Sequence, residues 1–165
     1  AVSFDGPIAI RYPRGSAHQG LQEYQAPVEY GRSEIIRKGK KIAVLGVGSM
    51  IPSCMEICKG LKDDGYDPTF VNARFVKPLD VDLLDELAKD HSLFVTVEEN
   101  VKSGGYGEHV SAYMEACHPE IRVLSAAVWD RFVPQGNVES LRSRIGLGVE
   151  DIRQAIEDSE ELREQ

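Results

Sequence analysis

The sequence predicts a three-layer α/β/α domain, built on a mixed, mostly parallel five-stranded sheet with one antiparallel edge strand. Three observations carry the prediction. Ile42-Ala43-Val44-Leu45 is an unbroken apolar run of strand length, the pattern of a parallel strand covered on both faces. Strand-like runs then alternate with stretches whose apolar residues recur at helical spacing, the rhythm of βαβ units. Lys38-Gly39-Lys40 is a tight turn, so strand 28–37 is expected to pair antiparallel with the strand that follows it, at an edge of the sheet.

Each element has its own reason. Residues 7–11 are a short apolar run that feeds Tyr12-Pro13-Arg14-Gly15, and residues 16–27 are polar, with glycine and proline, and read as a linker. The first strand is therefore expected to belong to a preceding domain, with a boundary in the linker and regular structure starting after Pro27. Strand 28–37 and the buried run 42–45 come next. Residues 50–62 are helical, with Ile51, Cys54, Ile57, Cys58 and Leu61 on one face. Strand 68–73 follows, and Asp80 is placed to N-cap a helix carrying Val81, Leu84, Leu87 and Ala88. Strand 93–97, helix 107–117 and strand 121–125 complete the sheet. After a loop holding Pro134-Gln135-Gly136, two helices are expected at 138–144 and 149–162.

Composition narrows the function. The chain has 165 residues, 42% of them hydrophobic and 28% charged, enough for a packed core. Nineteen Lys and Arg against 27 Asp and Glu give a net charge of −8, which disfavours binding to nucleic-acid phosphates. No apolar run approaches the length needed to cross a bilayer, and three cysteines do not make a disulfide framework. The opening AVSFDGPIAIRYPRG, without methionine, reads as cut from something longer.

Several stretches invite a chemical reading. Gly46-Val47-Gly48-Ser49-Met50 follows a strand and opens a helix, the setting of a dinucleotide loop. The third glycine of that motif would fall at Ile51, however, and Asn72-Ala73-Arg74 stands where a ribose-binding acid belongs, so a plain strand-to-helix turn is favoured. Cys54 and Cys58 share the apolar stripe of their helix and read as buried thiols rather than metal ligands. His91, His109 and Cys117-His118 find no motif partner in sequence. Glu98-Glu99-Asn100 stands where a parallel strand ends, the edge at which α/β ligands gather, and neighbouring carboxylates on a strand point to opposite sides. Gly104, Gly105 and Gly107 permit close backbone approach and lead into a helix whose N-terminus suits an anion. On physical grounds, phosphate binding and tight packing stand level there. Arg11 and Arg14 flank Tyr12-Pro13, and two guanidiniums at a strand end suit either phosphate recognition or the solvent.

GPIAIRYPRG, VNARFVKPLD, LFVTVEENVKSGGYGEHV and DRFVPQG occur in this order over nearly the whole chain. They resemble the C-terminal part of the 1-deoxy-D-xylulose-5-phosphate synthases, thiamine-diphosphate enzymes of the transketolase superfamily. RFVKPLD and VTVEE are also similar to the beta subunits of 2-oxoacid dehydrogenases, whereas RYPRG and VPQG favour the synthases. The resemblance implies a transketolase C-terminal-like domain over 21–165, with 1–20 the last strand and exit loop of a truncated pyrimidine-binding domain. It implies a cytoplasmic transferase that condenses pyruvate with D-glyceraldehyde 3-phosphate, releasing CO2, for isoprenoid, thiamine and pyridoxal synthesis. Thiamine diphosphate and Mg2+ would sit between the earlier domains, so no catalytic, cofactor-binding or metal-binding residue is expected in this piece, which would be inactive alone. Its partners would be those N-terminal domains and a second copy in a homodimer, with neither nucleic acid nor membrane. Arg14 resembles the arginine that holds the aldehyde's phosphate, and Arg11 stands as its support. Glu98, Glu99, Gly104, Gly105 and Gly107 become a structural joint facing the neighbouring domains. The competing reading is a stand-alone nucleotide- or phosphate-binding module that uses the turn at Gly46.

Overall fold

The computed structural model describes residues 3–12, 18–24 and 26–159. Its elements run β1 (Glu34–Arg37), β2 (Lys41–Gly46), a short 3-10 turn (Gly48–Met50), α1 (Ile51–Asp63), β3 (Thr69–Asn72), α2 (Val81–Ala88), β4 (His91–Val101), α3 (Tyr106–Cys117), β5 (Arg122–Val128), α4 (Val138–Arg144) and α5 (Val149–Glu157). The sheet has five strands in the order β1-β3-β2-β4-β5. Strands β2 to β5 are mutually parallel, and β1 alone is antiparallel.

The unbroken apolar run of β2 divides between two layers because side chains alternate along a strand. Ile42 and Val44 pack, with Val95 and Val97 of β4, against Cys54, Ile57 and Leu61 of α1 and Ile152 and Ile156 of α5. Ala43 and Leu45 face the other way, with Phe94, onto Leu84 and Leu87 of α2 and Val110 and Met114 of α3. Burying a large apolar side chain in this way contributes roughly 1.5–3 kcal/mol before conformational entropy is charged against it. Asp80 caps α2, accepting the Leu83 N–H at 3.3 Å, and it also accepts the Ser33 N–H at 2.7 Å and the Arg32 guanidinium at 3.0 Å.

The structure corrects the expected edge pairing. β1 lies beside β3, not beside β2. Both edges of β2 are taken by parallel partners, β3 and β4. The Lys38-Gly39-Lys40 link is not a hairpin turn. It crosses the amino end of β3, with Gly39 N–H on Thr69 Oγ1 (2.8 Å) and Lys40 N–H on the Asp67 carbonyl (2.6 Å). β1 is also shorter than expected. A turn at Tyr30-Gly31, with Gly31 at φ +71° and Arg32 N–H closing on the Glu29 carbonyl, breaks the segment before Glu34. Residues 7–12 join no ladder among the described residues, and Ile8 and Ile10 stay exposed.

β4 runs four residues beyond its expected end. Its register against β5 slips between Val97 (opposite Ala126) and Val101 (opposite Val128). Four steps of β4 therefore span two of β5, and the extra residues lie within Glu98-Glu99-Asn100. A bulge of this kind bends the strand and re-aims its side chains.

Candidate functional site

β2 to β5 end on one edge of the sheet. The chain leaves β2 for β3 on one side and later reaches β4 on the other, so the gap between the ends of β2 and β4 is the topological switch point, where ligands of open α/β sheets bind. The turn after Gly46 forms one wall, and the loop from Val101 to Gly105 forms the other.

The bulge aims Glu98 into the protein. Its side chain is fully buried, and its carboxylate sits at the first turn of α3, where Oε2 accepts the Tyr106 N–H (2.9 Å) and Oε1 the Gly107 N–H (2.7 Å). Oε2 also accepts Nδ2–H of Asn100 at 3.1 Å. Gly105, the N-cap of α3, has no side chain with which to cap the helix, so a carboxylate from β4 does it instead. The approach is close. A Cβ at Gly105 would lie 2.7 Å from Glu98 Oε1, and one at Gly107 would lie 2.1 Å from Ser125 Oγ and 2.4 Å from Thr96 Oγ1. Gly104 donates its N–H to Glu108 at 2.5 Å.

Glu99 points across the switch point. Its Oε1 accepts Nε (2.8 Å) and Nη2 (2.6 Å) of Arg142 on α4, and its Oε2 accepts the Ser49 hydroxyl in the turn that opens α1. Arg11 reaches the same place from the N-terminal segment, donating to Asn100 Oδ1 at 2.5 Å. Arg14 lies outside the described residues.

The chemistry of these donors is that of an anion site already filled from within. The α3 N-terminus holds the Glu98 carboxylate, and the entry to α1 holds Glu99. At the α3 N-terminus a diphosphate would meet the Glu98 carboxylate rather than free N–H donors, and at the α1 turn it would meet Glu99 beside the Ser49 hydroxyl. Among the described residues no group of three His, Cys, Asp or Glu is arranged to hold a metal ion. The residues described at this edge therefore do not fit thiamine diphosphate with Mg2+.

The remaining sequence candidates lie elsewhere. Cys54 and Cys58 are buried free thiols, and burial pushes the Cys54 thiol far up and that of Cys58 up to about 12. His91 is buried between the Leu87 carbonyl and the Thr69 hydroxyl, each at 2.7 Å, and His109 is exposed on α3. His118 gains a partner that sequence spacing could not reveal, Asp85, at 2.8 Å and 33 residues away. Tyr113 donates to the same oxygen at 2.8 Å, so His118 first and Tyr113 second hold the Asp85 carboxyl below its ordinary range. With Ala88, Lys89 and Cys117 they line an open depression between α2 and α3. Glu98 as an internal cap was equally hidden. The only sequence signal was a helix start at glycine, with no capping side chain of its own.

The family model of the transketolase C-terminal domain matches residues 31–152. Among curated proteins, the chain is 41% identical to the 1-deoxy-D-xylulose-5-phosphate synthase of Lachnoclostridium phytofermentans over 152 residues, which is 92% of this chain and 24% of that protein. It is 40% identical to that of Dictyoglomus thermophilum over 157 residues, 94% of this chain and 25% of the relative. The chain thus spans about a quarter of the length of these relatives. Among solved structures, a split-gene transketolase described as an inactive beta4 tetramer aligns with a TM-score of 0.76 at 29% identity, over 82% of this chain and 44% of that one. The transketolase of Campylobacter jejuni aligns at 0.51 and 14% identity, over 78% of this chain and 19% of its own, a likeness of fold alone.

Proposed function

The chain belongs to the transketolase C-terminal domain family, and from that premise we propose that it is the C-terminal domain of a 1-deoxy-D-xylulose-5-phosphate synthase. The supporting observation is identity near 40% over more than nine-tenths of the chain to proteins of that name. Proteins of that name also favour the synthase over a 2-oxoacid dehydrogenase beta subunit. The complete cytoplasmic enzyme would join a two-carbon unit from pyruvate to D-glyceraldehyde 3-phosphate, releasing CO2, with thiamine diphosphate and Mg2+ supplying the carbanion chemistry from the preceding domains. Residues 21–165 form the C-terminal domain in this reading, and 1–20 the end of the domain before it.

This piece does two things in that enzyme. Its carboxyl edge is a joint: Glu98 ties β4 to α3, Glu99 ties β4 to α1 and α4, and Gly105 and Gly107 let these elements close on one another. The joint leaves Val101 at the end of β4 and Trp129 just beyond β5 exposed, with Lys102 over the indole ring at 4.9 Å. Such a surface suits the other domains or the second copy of a homodimer. Its second task is one contact to the substrate phosphate from Arg14, supported by Arg11. Alone it is inactive. The solved relative titled as an inactive assembly, at 29% identity, supports that view.

The test lies with Arg14. In the complete enzyme, Arg14→Ala is expected to raise the KM for the phosphorylated aldehyde with little change for pyruvate. The loss of one charged partner of a phosphate costs about 1.5–3 kcal/mol, roughly ten- to a hundredfold. An unchanged aldehyde KM defeats the assignment.

A further inference from the structure

The two outer strands of the sheet differ in how they meet the solvent. β1 is defended: it has four residues, its register slips between Ile35 and Arg37, and charged Glu34 and Arg37 stand at its ends. β5 has none of these devices. It runs seven residues, RVLSAAV, without proline, and no charge interrupts it from Val123 to Val128. One side of β5 is taken by β4, and no strand lies on the other among the described residues. Val128 turns its carbonyl to the β4 side, where it accepts the Lys102 N–H at 2.8 Å. Peptide groups alternate along a strand, so Val123, Ser125 and Ala127 turn their N–H and C=O groups outward.

The ends of this open strand carry opposite charges. Arg122 at its start and Asp130, two residues past its end, are both exposed, and neither side chain has a partner among the described residues. Eight steps of extended chain hold them roughly 25 Å apart, too far to pair within one copy. Between them Trp129 is 57% exposed.

We propose that β5 is the pairing edge for a second copy of this chain, the two β5 strands running antiparallel about a twofold axis at Ala126. In this register Arg122 of each copy meets Asp130 of the other, and Ser125 lies opposite Ala127, so that outward groups face outward groups. Leu124 stands opposite Val128, and Trp129 comes to cover Val123. The backbone turns at Arg131, whose N–H closes on the Trp129 carbonyl at 2.7 Å, and the ladder stops there. Charge selects the centre from the registers that the alternation allows. Centred on Ser125, the pairing would set Glu120 against Asp130 and leave Arg122 opposite Val128. Centred on Ala127, it would set Asp130 against Leu124. The two sheets become one of ten strands, with the defended β1 at either end, so the assembly closes as a dimer. The pairing needs only this chain and goes beyond the reading of the complete enzyme given above.

The experiment is sedimentation of this chain over a range of concentrations, with charge reversals at the two ends of β5. A monomer–dimer equilibrium is expected, with no larger species. Arg122→Asp and Asp130→Arg are each expected to raise the dimer Kd about tenfold, because symmetry turns both ion pairs into like-charge pairs at once. The two reversals together are expected to return the Kd to within about threefold of the parent. Amide exchange read by NMR is expected to slow at Val123, Ser125 and Ala127 as concentration rises, and to stay unchanged at Leu124 and Ala126, which already face β4. A chain that stays monomeric at every concentration overturns the proposal. Slow outward amides in that monomer would mean that another segment of the chain covers the edge, and fast ones would leave it to a different domain. A dimer indifferent to the single reversals, or not restored by the double one, pairs through another face and also overturns it. Species larger than a dimer overturn the twofold closure. The exchange measurement needs no variant, so it decides the matter even if a reversal fails to fold.

Discussion

Glu98→Ala is expected to lower stability by about 2–4 kcal/mol, because two N–H groups at the start of α3 lose a charged acceptor in a place no water reaches readily. Glu98→Gln keeps one oxygen and is expected to lose roughly half as much. Urea unfolding reads both as shifts of the midpoint at constant slope. A Glu98→Ala midpoint equal to that of the parent would show that the carboxylate does not hold the helix. At this scale the sequence offers residue types without directions. Glu98 and Glu99 are identical neighbours, yet the bulge sends one inside to cap a helix and the other across to Ser49 and Arg142.

At the scale of elements, His91 ties three of them together. The Leu87 carbonyl at the end of α2 only accepts, so Nδ1 donates to it. Nε2 of the neutral ring then accepts the Thr69 hydroxyl of β3, whose oxygen receives the Gly39 N–H from the β1–β2 link. A proton on Nε2 would break this chain of donors. Burial holds His91 below the ordinary 6.5, outweighing the bond to Leu87 and the charge of Asp90, which pull the other way. The folded state therefore binds fewer protons than the unfolded state once the pH falls below about 6.5. The stabilisation is complete above that pH and declines as acid is added. Unfolding measured at pH 8 and pH 5 is expected to show His91→Gln losing more against the parent at pH 8 than at pH 5. An equal gap at both would mean that His91 does not titrate differently on folding. The helix α1 was legible from its apolar stripe, and α2 from a stripe joined to a local start signal at Asp80. The partner of β1 was not, because a short Lys-Gly-Lys link reads the same whether it folds back as a hairpin or steps across the end of a third strand.

At the scale of the whole molecule, the fold offers a switch point and fills it from its own chain. Calorimetric titration with Mg2+–thiamine diphosphate, NAD and AMP is expected to give no binding heat in any of the three. Heat from NAD or AMP alone would mean that the turn after Gly46 accepts a nucleotide by displacing Glu99, and would restore the stand-alone binding module. Heat from thiamine diphosphate would put a cofactor site in this domain. Among the described residues no helix is long and apolar enough to cross a membrane.

The sequence by itself determined the layered fold, because strand and helix periodicities are local and the buried run of β2 has few other places to go. It also carried the family, through motifs spread along nearly the whole chain. Only the tertiary structure decided which strand lies against β1, where each glutamate points, and that Arg11 meets Asn100 and Asp85 meets His118. The last two are contacts between residues 89 and 33 positions apart. They follow from strand order and a slip of register, and neither leaves a mark in the local pattern of residues.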